Sequence, residues 1–137
     1  MREVHDSADE IKEKIAPLFE DPGLRLVLLF GSRASGRTHG GSDIDLGFLY
    51  DHPVDFLDLT NRAIVLLHTD RVDVVDLRRA NSLLGFSACQ GRLLYERTPG
   101  QFAAFFSLSF RKYVDTKKLR DAQKTAIRNF LQRRKIP

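Results

Sequence analysis

Polar and apolar positions alternate along the chain with two distinct periods. After Ser7, whose spacing to Glu10 fits a capping box, Ile11, Ile15, Leu18 and Phe19 recur at helical intervals, which predicts a helix from about Ser7 towards Glu20. Pro17 falls inside that pattern and should kink or end it early. Asp21-Pro22-Gly23 reads as a turn, and Leu24 to Phe30 is a nearly continuous apolar run, as expected of a strand buried on both faces. Residues 31–41, rich in Gly and Ser, predict a loop or a short helix. From Asp43 to Tyr50 the period is two, with Ile44, Leu46, Phe48 and Tyr50 alternating against Asp43, Asp45, Gly47 and Leu49.

The same reading continues through the second half. A helix is predicted from about Val54 to His68 with Leu57, Ile64 and Leu67 facing inward, and a strand over Arg71 to Leu77. A helix over Asn81 to about Gln90 and a short strand over Arg92 to Tyr95 follow. Thr98 as N-cap and Pro99 at the first helical position predict a helix carrying Phe102, Phe105, Phe106, Phe110 and Tyr113 on one stripe. That stripe fits packing on the protein's own sheet better than docking to a partner. A further helical stretch from about Thr116 carries Leu119, Ala122, Ala126, Ile127, Phe130 and Leu131. The order predicts an α/β (α+β) fold in which a mixed sheet is flanked by helices: a core over residues 1–97 and a helical, basic C-terminal extension of the same domain over 98–137.

Composition narrows the class. A chain of 137 residues with 42% hydrophobic residues suits one domain that buries roughly two-thirds of its unfolded surface. Nine Gly, five Pro and one Cys exclude collagen-like, disordered and disulfide-framework chains. Cys89 has no intrachain disulfide partner and reads as a small core residue. The longest aliphatic or aromatic run, Leu26 to Phe30, is far too short to cross a bilayer, and residues 1–20 hold no apolar signal core. The expectation is a soluble cytoplasmic protein.

Charge is unevenly distributed. Residues 1–110 hold 12 Lys/Arg against 16 Asp/Glu, whereas residues 111–137 hold 10 Lys/Arg against Asp115 and Asp121. Such a basic tail suits nucleic acid, an acidic protein surface or plain solvent. Its cations spread around the helix without aromatic interleaving, which weakens the nucleic-acid reading.

The segment that carries chemistry runs from Leu29 to Leu46. Gly31-Ser32 leaves a buried strand, where Gly permits a sharp turn and a close approach of ligand. If a short helix begins there, its N–H groups and the Ser32 hydroxyl face an anion, and Arg33 and Arg37, four apart, can reach phosphate oxygens. Asp43 and Asp45, two apart on a strand, project from one face and repel one another unless a cation lies between them. Asp73, in the apolar run Val72-Asp73-Val74-Val75, is the candidate third carboxylate, its alternative being a structural ion pair with Arg71 or another Arg. Asp76 is an odd number of residues away and should face the other side of the sheet. His39, His52 and His68 form no metal spacing, and Tyr50 and Tyr95 read as packing residues.

Gly31-Ser32, ten residues, then Asp43-Ile44-Asp45, with Asp73 on a later strand, resembles the signature of the DNA polymerase β-type nucleotidyltransferases, in particular the minimal nucleotidyltransferases. The likeness spans approximately residues 7–96. More loosely, Tyr113-Val114-Asp115-Thr116 to Leu119-Arg120 is similar to the tail of the MntA-type antitoxins of HEPN toxin–antitoxin systems. The resemblance implies that Asp43, Asp45 and Asp73 are catalytic and bind two Mg²⁺ ions (Mn²⁺ as an alternative), and that Gly31, Ser32, Arg33, Arg37 and Ser42 bind the nucleotide. It further implies transfer of AMP from ATP to a tyrosine hydroxyl of a partner HEPN ribonuclease toxin, which neutralises it. The competing reading is a non-catalytic antitoxin that blocks the toxin by stoichiometric binding. Ser35 stands where the family often has Arg, which puts one phosphate or partner contact in doubt and leaves the carboxylates untouched.

Overall fold

A computed structural model of the chain describes residues 7–31 and 43–134. Helix α1 (Ala8–Ile15) starts as expected: the Ser7 hydroxyl oxygen accepts the Glu10 N–H at 3.3 Å. As expected at Pro17, the α-helix ends early, at Ile15, and the chain continues as a 3₁₀ helix, Ala16–Glu20. Strand β1 (Leu24–Phe30) buries every residue except Arg25. β2 (Ile44–Tyr50) follows, then α2 (Phe56–Leu67), capped by Asp55, whose carboxylate accepts the Leu57 and Asp58 N–H groups. Strand β3 (Val72–Asp76), α3 (Ser82–Cys89), β4 (Arg92–Glu96) and α4 (Gln101–Arg133) complete the order.

The strands form a four-stranded mixed sheet, β3-β2-β1-β4, in which β1 runs antiparallel to β2 and to β4 while β2 and β3 are parallel. The parallel pair requires a crossover, and α2 supplies it. On one face Ile44, Leu46, Phe48 and Tyr50 join Ile11, Ile15, Leu59, Ala63 and Leu67 in the main core. On the other, Leu28, Phe30 and Leu77 pack with Ala88 and Cys89 of α3, and Phe102 and Phe105 of α4 lie against them. At the leading ends of β2 and β3 stand the acids, with Asp43 and Asp73 exposed and Asp45 half-buried.

Three expectations need correction. Leu57 is 73% exposed rather than inward. The helix buries Leu59, Ala63 and Leu67, an i, i+4, i+8 stripe, and Leu57 precedes it by two positions, about 200° around the helix. Thr98 and Pro99 do not open α4. They form a turn in which the Thr98 carbonyl accepts the Gln101 N–H, Gly100 takes the N-cap position at φ +95°, and the Glu96 carboxylate accepts the Phe102 N–H at 2.8 Å. Glu96 therefore supplies the capping oxygen that Thr98 was expected to give.

Nor are there two C-terminal helices. Gln101 to Arg133 contains neither Gly nor Pro, and the helix is continuous over 33 residues. Its middle is tied to α3: Ser82 and Thr116 share a hydrogen bond of 2.9 Å, and Arg120 donates to the Ser82 hydroxyl at 3.3 Å. The aromatic stripe divides. Phe102 and Phe105 enter the core, whereas Phe106 and Phe110 lean on Phe86 and stay 37% and 49% exposed. Beyond Arg120 every described residue of α4 is exposed.

Candidate active site

Register brings the acids together. Across the β2–β3 ladder Ile44 pairs with Val72 and Asp45 with Asp73, so the two carboxylates are neighbours on one face. Asp43, two residues before Asp45, lies on that same side. On the opposite flank Asp45 pairs with Phe30, the last residue of β1. Gly31 follows with φ +77°, a conformation that favours glycine, and the point where its Cβ would sit is already filled by Oδ2 of Asp45. The strand end, the glycine turn and the three acids are thus one site.

The electrostatics follow from that placement. Partial burial, first, and then the charges of Asp73 and Asp43 raise the Asp45 carboxyl above the ordinary carboxylate range. Asp43 and Asp73 are exposed, so the cluster opens to solvent. Among the described residues no three acidic, His or Cys side chains close into a ready-made cation cage. Hard oxygen donors in mutual repulsion, set on an open face, nonetheless suit a cation of the Mg²⁺ kind, which uses one or two carboxylates together with substrate phosphates and water.

Asp76 pairs with Phe48 and so lies on the opposite face, as its parity with Asp73 predicted. His52 lies next to Asp21, and His68 ends α2. Ser32, Arg33, Arg37 and Ser42, expected to hold the nucleotide, lie outside the described residues, as does His39. Cys89 is buried, and its thiol, raised by burial, bonds Ser109.

One residue that supports the site had not been singled out. A Cβ on Gly91 would run into the backbone of Leu29 and Phe30, so the α3–β4 turn presses against the end of β1 from which Gly31 departs. Its only trace in the sequence is a glycine directly after a predicted helix, a signal shared by many ordinary helix ends.

The model of the family described as "Polymerase beta, Nucleotidyltransferase" matches residues 13–100. A protein adenylyltransferase MntA of Aphanizomenon flos-aquae (strain 2012/KM1/D3) is 30% identical over 125 residues, 82% of this chain and 83% of that relative. Among solved structures, a toxin–antitoxin with AMP-PNP superposes with a TM-score of 0.75 at 31% identity, covering 85% of this chain and 97% of the other. A tri-AMPylated Shewanella oneidensis HEPN toxin in complex with its MNT antitoxin gives 0.72 at 28% identity, over 88% and 98% of the two chains.

Proposed function

The chain belongs to the polymerase beta nucleotidyltransferase family, and on that premise we propose that it is an antitoxin that moves AMP from ATP onto a tyrosine hydroxyl of a HEPN ribonuclease toxin, in the cytoplasm. The observation that carries the reading is the Asp45–Asp73 rung beside the Gly31 turn. The MntA relative and the complex with an AMPylated HEPN toxin support the choice of donor group and acceptor.

In this reading Asp43, Asp45 and Asp73 hold two Mg²⁺ ions, or Mn²⁺ in their place. When bound, such ions offset the charge of carboxylates and triphosphate and stabilise the attacking and leaving oxygens of an in-line displacement. Gly31 leaves room for the carboxylate of Asp45 against the strand end, and Ser32, Arg33, Arg37 and Ser42 hold the triphosphate oxygens. Asp73 accepts the proton of the tyrosine hydroxyl. The tyrosine oxygen then bonds to the α-phosphorus, the bond from that phosphorus to the bridging oxygen breaks, and pyrophosphate leaves with the electron pair.

The test is incubation of the chain with ATP, Mg²⁺ and its HEPN partner, read by intact mass of the partner and by its ribonuclease activity. A gain of one or more AMP units together with loss of ribonuclease activity is expected. Inhibition at unchanged mass, retained by Asp43→Asn with Asp45→Asn, is the signature of a steric antitoxin and contradicts the proposal.

A further inference from the structure

At the other end of β2 lies a cavity that the transfer reaction does not use. Asp45 to Tyr50 spans five residues of strand, about 17 Å, and beyond Tyr50 a cavity of about 470 Å³ opens where the parallel strands β2 and β3 end. That volume lies within the roughly 300–1,000 Å³ typical of small-molecule sites. The carboxyl ends of parallel strands are also where open α/β sheets commonly take ligands.

The lining has two chemical halves. One is aromatic: His52 and Phe56 present their rings, backed by the buried ring of Tyr50, which lies 5.7 Å from the His52 ring and 6.2 Å from the Phe56 ring, centroid to centroid. The other is cationic: Arg78 and Arg79, on the turn after β3. Both arginines are exposed, and neither guanidinium is in an ion pair among the described residues.

The acids around the cavity are otherwise engaged. Asp76 accepts the Arg78 N–H at 3.0 Å, and Asp55 caps α2. Asp51 is paired with Arg97 at 3.3 Å, and Asp21 lies 3.6 Å from His52. Among the described residues Asp76 is the one carboxylate that lines the cavity, so two guanidinium charges there face a single negative one.

The geometry points to a second nucleotide site: the cavity between Tyr50, His52, Phe56, Arg78 and Arg79 takes a nucleoside monophosphate. Guanidinium forks match phosphate oxygens in a bidentate manner, and the aromatic wall suits a planar base. The same chemistry is offered by free AMP and by AMP carried on an adenylylated tyrosine. Only the second source rests on the transfer reading given above.

The test is a ¹H–¹⁵N titration of the full chain with AMP in a chelator. The site predicts saturable shifts at Tyr50, His52, Phe56, Arg78 and Arg79, and binding at least about tenfold weaker in Arg78→Ala with Arg79→Ala. Adenosine and inorganic phosphate should each bind more weakly than AMP. An adenylylated tyrosine peptide that outbinds AMP identifies the partner as the source, and the reverse order identifies the free nucleotide. Absence of saturable shifts, shifts confined to Gly31 and Asp45, or an unaffected double variant overturns the proposal. Because nothing is transferred in this experiment, its failure is distinct from failure of the transfer reaction.

Discussion

Gly31 and Asp45 compete for one small volume: a carboxylate oxygen of Asp45 fills the position that a Cβ on Gly31 would need. Gly31 also holds φ +77°. Replacement by Ala therefore imposes a left-handed penalty of about 1–2 kcal/mol and displaces the carboxylate at the centre of the site. Gly31→Ala is expected to lower the melting temperature modestly and to remove most AMP transfer. Calorimetry beside the transfer assay checks this, and a variant that melts lower while transferring normally would detach the glycine from the chemistry.

The raised Asp45 carboxyl sets a pH dependence. Its folded value lies above the unfolded one, because burial and the charges of Asp73 and Asp43 disfavour the anion. Between those two values the native state binds the extra proton, so stability from this group is highest in acid and falls as pH rises through the folded value. Asp45→Asn removes that loss. Without added cation the variant should therefore be at least as stable as the parent at pH 7, with any advantage shrinking below the ordinary carboxylate range. Thermal melts of both proteins across pH 3.5 to about 7 measure it.

Divalent ions should reverse the order. Mg²⁺ with a non-hydrolysable ATP analogue is expected to raise the melting temperature of the parent chain, as any ligand of the native state does. Asp43→Asn, Asp45→Asn and Asp73→Asn should each lose most of that rise and lower transfer by roughly 100-fold or more, the scale of removing one strong electrostatic contact in a transition state. Full activity in Asp73→Asn would remove it from the set.

The exposed end of α4 is separable from the fold. Every described residue from Asp121 onward is exposed, so a chain ending at Arg120 should keep its melting temperature. Loss of partner binding with an intact melt would assign the tail to the partner. A large drop in melting temperature would contradict the packing described here.

The local pattern made most elements legible. Period-two alternation marked β2, the unbroken apolar run marked β1, and the capping box at Ser7 marked α1. What escaped depended on partners distant in the chain. The α4 cap comes from Glu96, six residues before the N–H it accepts, and no propensity rule points there. Leu67 lies on the buried stripe of α2, whereas Ile64 and Leu57, nearly in line with each other around the helix, stand off it, one half-buried and the other exposed. The apolar pattern of α2 fits more than one face, and only packing selects the buried one. The Asp43-x-Asp45 spacing was visible directly, whereas the pairing of Asp45 with Asp73 is a register, fixed by the length and seating of the α2 crossover. The aromatic stripe read as one surface because its spacing is uniform, yet α3 covers only part of it.

Cation uptake decides the matter most directly. Mn²⁺ titrated into the chain with a non-hydrolysable ATP analogue, followed by electron paramagnetic resonance, should show saturable binding in the parent protein and its loss in Asp43→Asn with Asp45→Asn. Binding of equal strength in both proteins, or none in either, would contradict the account.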